Sequence, residues 1–123
     1  MAITFNTDRL QGLEGTTING VYGRIQIVTV KKFDATTDPD EAASFRISYD
    51  VVLHATAVKR NAAGEYPQWG NRLRSREIDH FTAEVTADQM NAADANGYTL
   101  AYADLKAKLA AGDSPIASSI QDA

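Results

Sequence analysis

A tryptophan followed by a row of arginines is the part of this chain best equipped for chemistry. The stretch EYPQWGNRLRSRE, residues 65–77, holds Tyr66, the only tryptophan (Trp69), and Arg72, Arg74 and Arg76 at alternate positions. Side chains two apart on a strand project to the same side, so three guanidiniums there would form one cationic row. Aromatic rings stack on bases and arginine neutralises phosphate. The same residue types are enriched in protein–protein hot spots. From Lys59 to Arg76 five cations stand against one acid, Glu65, a local charge of +4. The whole chain carries −4, so removing +4 leaves −8 on the remainder. Such a body repels a polyanion and complements a basic segment on a neighbouring copy. Tyr66, Trp69, Arg72, Arg74 and Arg76 are therefore read as an assembly interface. Nucleic-acid binding is the weaker alternative, because a dedicated binder carries a basic face. The plain structural reading is a loop that covers its own tryptophan and leaves its arginines solvated.

Other constellations point less clearly to chemistry. His54 and His80 are the only histidines, and on one sheet face beside Asp50 or Asp79 they could bind a metal. No short-spaced ligand pair of the HxxxH kind supports this. Asp34, Asp38, Asp40 and Glu41 cluster, but without the spacing of a calcium loop. Serines and threonines are present without a nucleophile elbow, and GLEGTTINGVYG lacks the lysine of a phosphate loop. There are no cysteines, which excludes disulfides, thiolate zinc sites and cysteine nucleophiles. No catalytic residue, metal or cofactor is assigned, and the chain is expected not to be an enzyme. The N-terminal residues lack a basic region followed by an apolar run, so no signal peptide is expected. No apolar stretch approaches the roughly 18 residues of a membrane span.

The elements that must position these residues read as strands first and helices last. The chain has 123 residues, enough for one domain with a sizeable core. Residues 2–5 suggest a short strand, and NTDRLQGLEGTTING a loop bent at Gly12 and Gly15. INGVYGRIQIVTVKKF, residues 18–33, is rich in β-branched side chains. Val21, Ile25 and Ile27 share one parity, and Tyr22, Val28 and Val30 the other, so both faces are partly apolar. Gly20 and Gly23 suggest a bulge or a close approach. FRISYDVVLHATAVKR, residues 45–60, alternates, with Phe45, Ile47, Tyr49, Val51, Leu53, Ala55 and Ala57 on one face and a polar row interrupted only by Val52 on the other. Residues 61–73 read as a protruding excursion, and 74–86 as the returning strand with Phe81, Ala83 and Val85 facing in. A short helix is expected over 87–97, with Asp88 as its N-cap and Gly97 as its stop. A second follows over 98–112, with Tyr98, Ala101, Tyr102, Leu105 and Leu109 on its apolar face. The expected fold is α+β: an antiparallel sheet of three to four long strands, a protruding hairpin, and one or two C-terminal helices packed on it. Residues 1–112 form the domain and 113–123 an extended or frayed tail.

The layout resembles that of small accessory proteins encoded among the structural genes of tailed bacteriophages. The resemblance is carried by the strand INGVYGRI, Ile18 to Ile25, by the long alternating strand and hairpin after it, and by the helix AYADLKA, Ala101 to Ala107. It implies a non-enzymatic, multi-copy virion protein of the tail or baseplate. Its partners would be other virion structural proteins or further copies of itself, with no cofactor and no membrane. Assembly would take place in the host cytoplasm. The alternatives are a capsid or neck cement protein, a small nucleic-acid-binding domain using the cationic hairpin, and a small metal-assisted enzyme using His54 and His80.

Overall fold

The computed structural model describes residues 2–33, 44–55, 72–92 and 96–123. The chain is α+β, an antiparallel sheet with two helices. The strands are β1 (Ile3–Thr7), β2 (Ile18–Phe33), β3 (Ser44–His54), β4 (Arg72–Leu73), β5 (His80–Thr86) and β6 (Ala117–Asp122). The helices are α1 (Ala87–Met90) and α2 (Gly97–Ala110). The sheet order is β4-β3-β2-β1-β6, with β5 also pairing β3.

β2 and β3 form the spine. They pair from Tyr22 opposite His54 to Phe33 opposite Ser44. The register shifts between Ile25 and Ile27, leaving Gln26 as an extra residue. A bulge reverses parity beyond it. Val21 and Ile25 lie in the core, at 0% and 6% exposure, while Ile27 is 52% exposed. Past the bulge Val28 and Val30 turn to the helix side, where Val28 Cγ1 stands 3.1 Å from where a Cβ on Gly97 would sit. The two-faced apolar pattern of β2 is thus one core face interrupted by one extra residue. Gly23 marks a close approach instead, with Phe5 Cε1 3.0 Å from its absent Cβ.

β3 buries Ile47, Tyr49, Val51 and Leu53 as its alternation predicts, and on the opposite face Val52 and His54 are buried too. The returning strand is shorter than expected. β5 begins at His80, and residues 74–79 bend away from β3. Leu53 faces Leu73 and Asp50 faces His80, so six residues, 74–79, span only Val51 and Val52. Three features hold this excursion. Ile78 is 1% exposed in the core, Gln11 N–H donates to Arg74 O at 2.8 Å, and Val51 N–H donates to Asp79 O at 2.8 Å. On β5, Phe81, Ala83 and Val85 turn inward as expected, while His80, Thr82 and Glu84 are exposed.

The helix boundaries correct the sequence reading. Thr86, not Asp88, caps α1: its Oγ1 accepts from Gln89 N–H at 3.2 Å, and Gln89 Oε1 accepts from Thr86 N–H at 2.9 Å. This reciprocal capping box leaves Asp88 in the first turn, where a carboxylate suits the dipole. Gly97 opens α2 rather than ending α1. Asn96 is the N-cap and accepts from Thr99 N–H at 2.9 Å. Glycine is used there because Val28 and Val30 crowd the position. Ala101, Tyr102, Leu105 and Leu109 are buried at helical spacing, but Tyr98 is 47% exposed.

Residues after Gly112 are not a tail outside the domain. Residues 117–122 form β6 beside β1, from Thr7 opposite Ala117 to Ile3 opposite Asp122. Thr7 Oγ1 donates to Ile116 O at 2.7 Å, and Ile116 and Ile120 pack on the core. The core lies between α2 and the sheet face on which it packs, against β2, β6, β3 and β5, and Ile3 and Phe5 of β1 join the same cluster.

Candidate interface

Of the aromatic–arginine stretch, Tyr66 and Trp69 lie outside the described residues. Arg72, Arg74 and Arg76 are all exposed, while Leu73 is half-buried and Ser75 buried between them. Only Arg72 is on a strand. The alternation nevertheless continues through Arg76 because Arg74 O is held by Gln11, and Ser75 Oγ accepts from Glu77 N–H at 3.3 Å. Arg72, Arg74 and Arg76 all line one cleft of about 130 Å³, with Gln11, Ser75, Ile78 and Asp79 among its walls. The guanidiniums of Arg72 and Arg74 make no hydrogen bond or ion pair with any described residue.

Arg76 also borders a second, larger cleft of about 400 Å³, with Asp8, Arg9, Gln11, Glu14, Gly15 and Glu77. Here the charges are engaged. Arg9 Nη1 contacts Glu77 Oε1 and Oε2 at 3.1 and 3.0 Å, and Arg9 Nε contacts Asp8 Oδ1 at 3.0 Å. The backbone N–H groups of Glu14 and Gly12 favour the charged Glu14 carboxylate and hold its pKa below the usual carboxylate value; Arg76 adds a smaller pull the same way. Gly12 and Gly15, both at φ +83°, let the loop turn back far enough for this. The wall formed by Gln11 and Glu14 had no signal in the sequence, since it lies some sixty residues before the arginines and meets them only by folding.

The histidines do not form a joint site. His54 is 1% exposed, with Arg24 Nε 3.4 Å from its Nε2 and the Tyr22 ring 6.3 Å away. His80 lies opposite Asp50, and its Nδ1 is 2.6 Å from Asp50 Oδ1. Four residues along β3 separate the two, about 13 Å of strand. Among the described residues no group of three metal-ligating side chains comes together. The acidic cluster at residues 34–41 lies outside the described residues.

Beneath α2, Tyr49 donates to Asp104 Oδ2 at 2.6 Å, and Lys108 Nζ contacts the same oxygen. Burial pushes the pKa of the Tyr49 phenol far above its ordinary value, and the hydrogen bond to the Asp104 carboxylate adds to this. This network joins helix to sheet, so it reads as structural. No helix of the described residues is long and apolar enough to cross a membrane. No protein-family model, curated protein or solved structure matches this chain.

Proposed function

We propose that this chain is a non-enzymatic structural or adaptor protein of a tailed-phage virion, in the tail or baseplate, working through protein–protein contacts. The observation that carries the reading is the pair Arg72 and Arg74. Two exposed arginines, whose guanidiniums have no partner among the described residues, border a cleft on a chain whose net charge is −4. An exposed arginine that finds no carboxylate in its own fold is suited to one on a neighbour, where planar bidentate pairing adds specificity. The acidic remainder of a second copy, or of another virion protein, supplies such carboxylates. Phosphate is the poorer match. Asp79 lines the arginine cleft itself, and Asp8, Glu14 and Glu77 line the cleft beside it.

The test is zero-length carbodiimide cross-linking of an Arg74→Lys chain mixed from ¹⁴N- and ¹⁵N-labelled preparations. The reading expects mixed-isotope links from position 74 to carboxylates of another copy, or of a co-expressed virion protein. Links confined to Asp79, Glu77 or Glu14 of the same copy would overturn it.

A further inference from the structure

Arg9 is the one cation in residues 8–17, the loop that joins β1 to β2. Its backbone is fixed from beneath. Thr7 and Leu10, on either side of it, are buried, and Arg9 N–H donates to Thr7 Oγ1 at 3.2 Å. The guanidinium stays at the surface and meets two carboxylates. Nη1 donates to both oxygens of Glu77, and Nε donates to Asp8 Oδ1. The hydrogen bond to Glu77 is the largest of the influences that hold the Arg9 pKa above its ordinary value, so Glu77 is the main partner.

Glu77 belongs to the excursion that carries the arginine row. It follows Arg76 directly and lies three residues beyond Arg74, so the Cα atoms of 74 and 77 are at most about 11 Å apart. A glutamate and an arginine side chain together bridge such a gap. The Glu77 carboxylate nevertheless meets Arg9 alone among the described residues. A residue some seventy positions away thus occupies the carboxylate that the row carries beside it.

The charges of the larger cleft sharpen this. Arg9 and Arg76 there face Asp8, Glu14 and Glu77, which leaves one negative charge in excess. Without the Arg9 guanidinium the excess is two, and Arg76 is the only cation facing three carboxylates. Arg76 also lines the arginine cleft, so whatever draws it toward the larger cleft shortens the row.

We propose that Arg9 is a positioning residue for the arginine row: it holds Glu77 against the β1–β2 loop and so keeps the row free for a carboxylate of another molecule. This rests on the reading of the row as an assembly surface. It adds that the chain carries its own competitor for that surface and a residue that restrains it. Arg9 acts through Glu77 and not by touching the partner. The competing pairs are exposed ones of similar strength, so a single guanidinium decides between them.

The test uses the full chain with Arg9→Met, which keeps an unbranched apolar stem and removes the guanidinium, alone and together with Glu77→Gln. In light scattering at low salt, Arg9→Met should fall from the mass of the parent toward a single chain, and adding Glu77→Gln should return it toward the mass of the parent. A loss of packing alone would not be reversed by changing Glu77. A second readout needs no assembly. In Arg74→Lys chains treated with carbodiimide, the link within one chain from position 74 to Glu77 should form about two- to fivefold more when Arg9→Met is added, the fold-change of an exposed ion pair. An Arg9→Met chain of parental mass, a double variant that stays a single chain, or an unchanged link from 74 to 77 would each overturn the proposal. A parent that is a single chain at every salt concentration would overturn the assembly reading instead. The link would then decide by itself whether Arg9 restrains Glu77.

Discussion

Tyr102→Phe is the sharpest probe of how α2 closes the sheet. The hydroxyl accepts from Ile25 N–H at 2.8 Å in a buried setting, at the bulge where β1 no longer covers β2. The ring is 4% exposed, so the phenyl replacement keeps the packing and removes only the oxygen. Ile25 N–H is then left without its acceptor. An orphaned buried donor costs about 1–3 kcal/mol. Unfolding entropy of about 2.1 cal/mol/K per residue amounts to about 260 cal/mol/K for 123 residues, so the loss corresponds to a fall in Tm of about 4–12 °C. Tyr98→Phe is the internal comparison. Its hydroxyl makes a longer bond, 3.3 Å to Gln26 O, and its side chain is 47% exposed, so water can replace it. Its Tm should fall by less than about 2 °C, as for other surface substitutions. Differential scanning calorimetry of the two variants measures both. A Tyr102→Phe chain that melts within 1 °C of the parent would refute the argument, because Ile25 N–H would then have another acceptor.

Leu105→Ala removes a side chain of 0% exposure from the centre of the α2–sheet core. It should cost about 2–5 kcal/mol, read as a lower urea midpoint at unchanged m-value. Glu14→Gln tests the loop that walls the larger cleft. The folded pKa of Glu14 is depressed, so its stabilisation is complete above the ordinary carboxylate range and disappears as pH falls through the depressed value. The stability gap between parent and Glu14→Gln should therefore be present near neutral pH and close on acidification, as followed by urea denaturation at several pH values; a gap that widens in acid would contradict the assignment. Arg72→Ala with Arg74→Ala should leave folding stability within about 0.5 kcal/mol, since neither guanidinium has a partner among the described residues.

Alternation made the centre of the fold legible. Ile47, Tyr49, Val51 and Leu53 announce a half-buried strand, and Ala101, Tyr102, Leu105 and Leu109 announce the covering helix; all eight are buried in the core cluster. The residues misplaced by sequence reasoning share a cause, which is that a contact distant in sequence overrides a local signal. Gly97 looks like a helix stop until Val28 and Val30 are seen to crowd it. Ile78 looks like the outer face of a strand, yet the backbone bends to bring it into the core. The polar segment after Gly112 looks frayed, but β1 offers it an edge, and Ile116 and Ile120 find the core. The arginine row was visible because it is contiguous. The lack of described partners for Arg72 and Arg74, the wall built by Gln11 and Glu14, and the hold of Arg9 on Glu77 were not, because each depends on what folding brings alongside.

The central claim is that the arginine row is an assembly surface. It is tested most directly by light scattering of the purified chain at low and high salt, beside the Arg72→Ala, Arg74→Ala variant. The account predicts a defined oligomer at low salt whose mass falls toward a single chain as salt screens the contacts, and a variant that is a single chain at low salt. A parent and variant of the same mass at every salt concentration would contradict it.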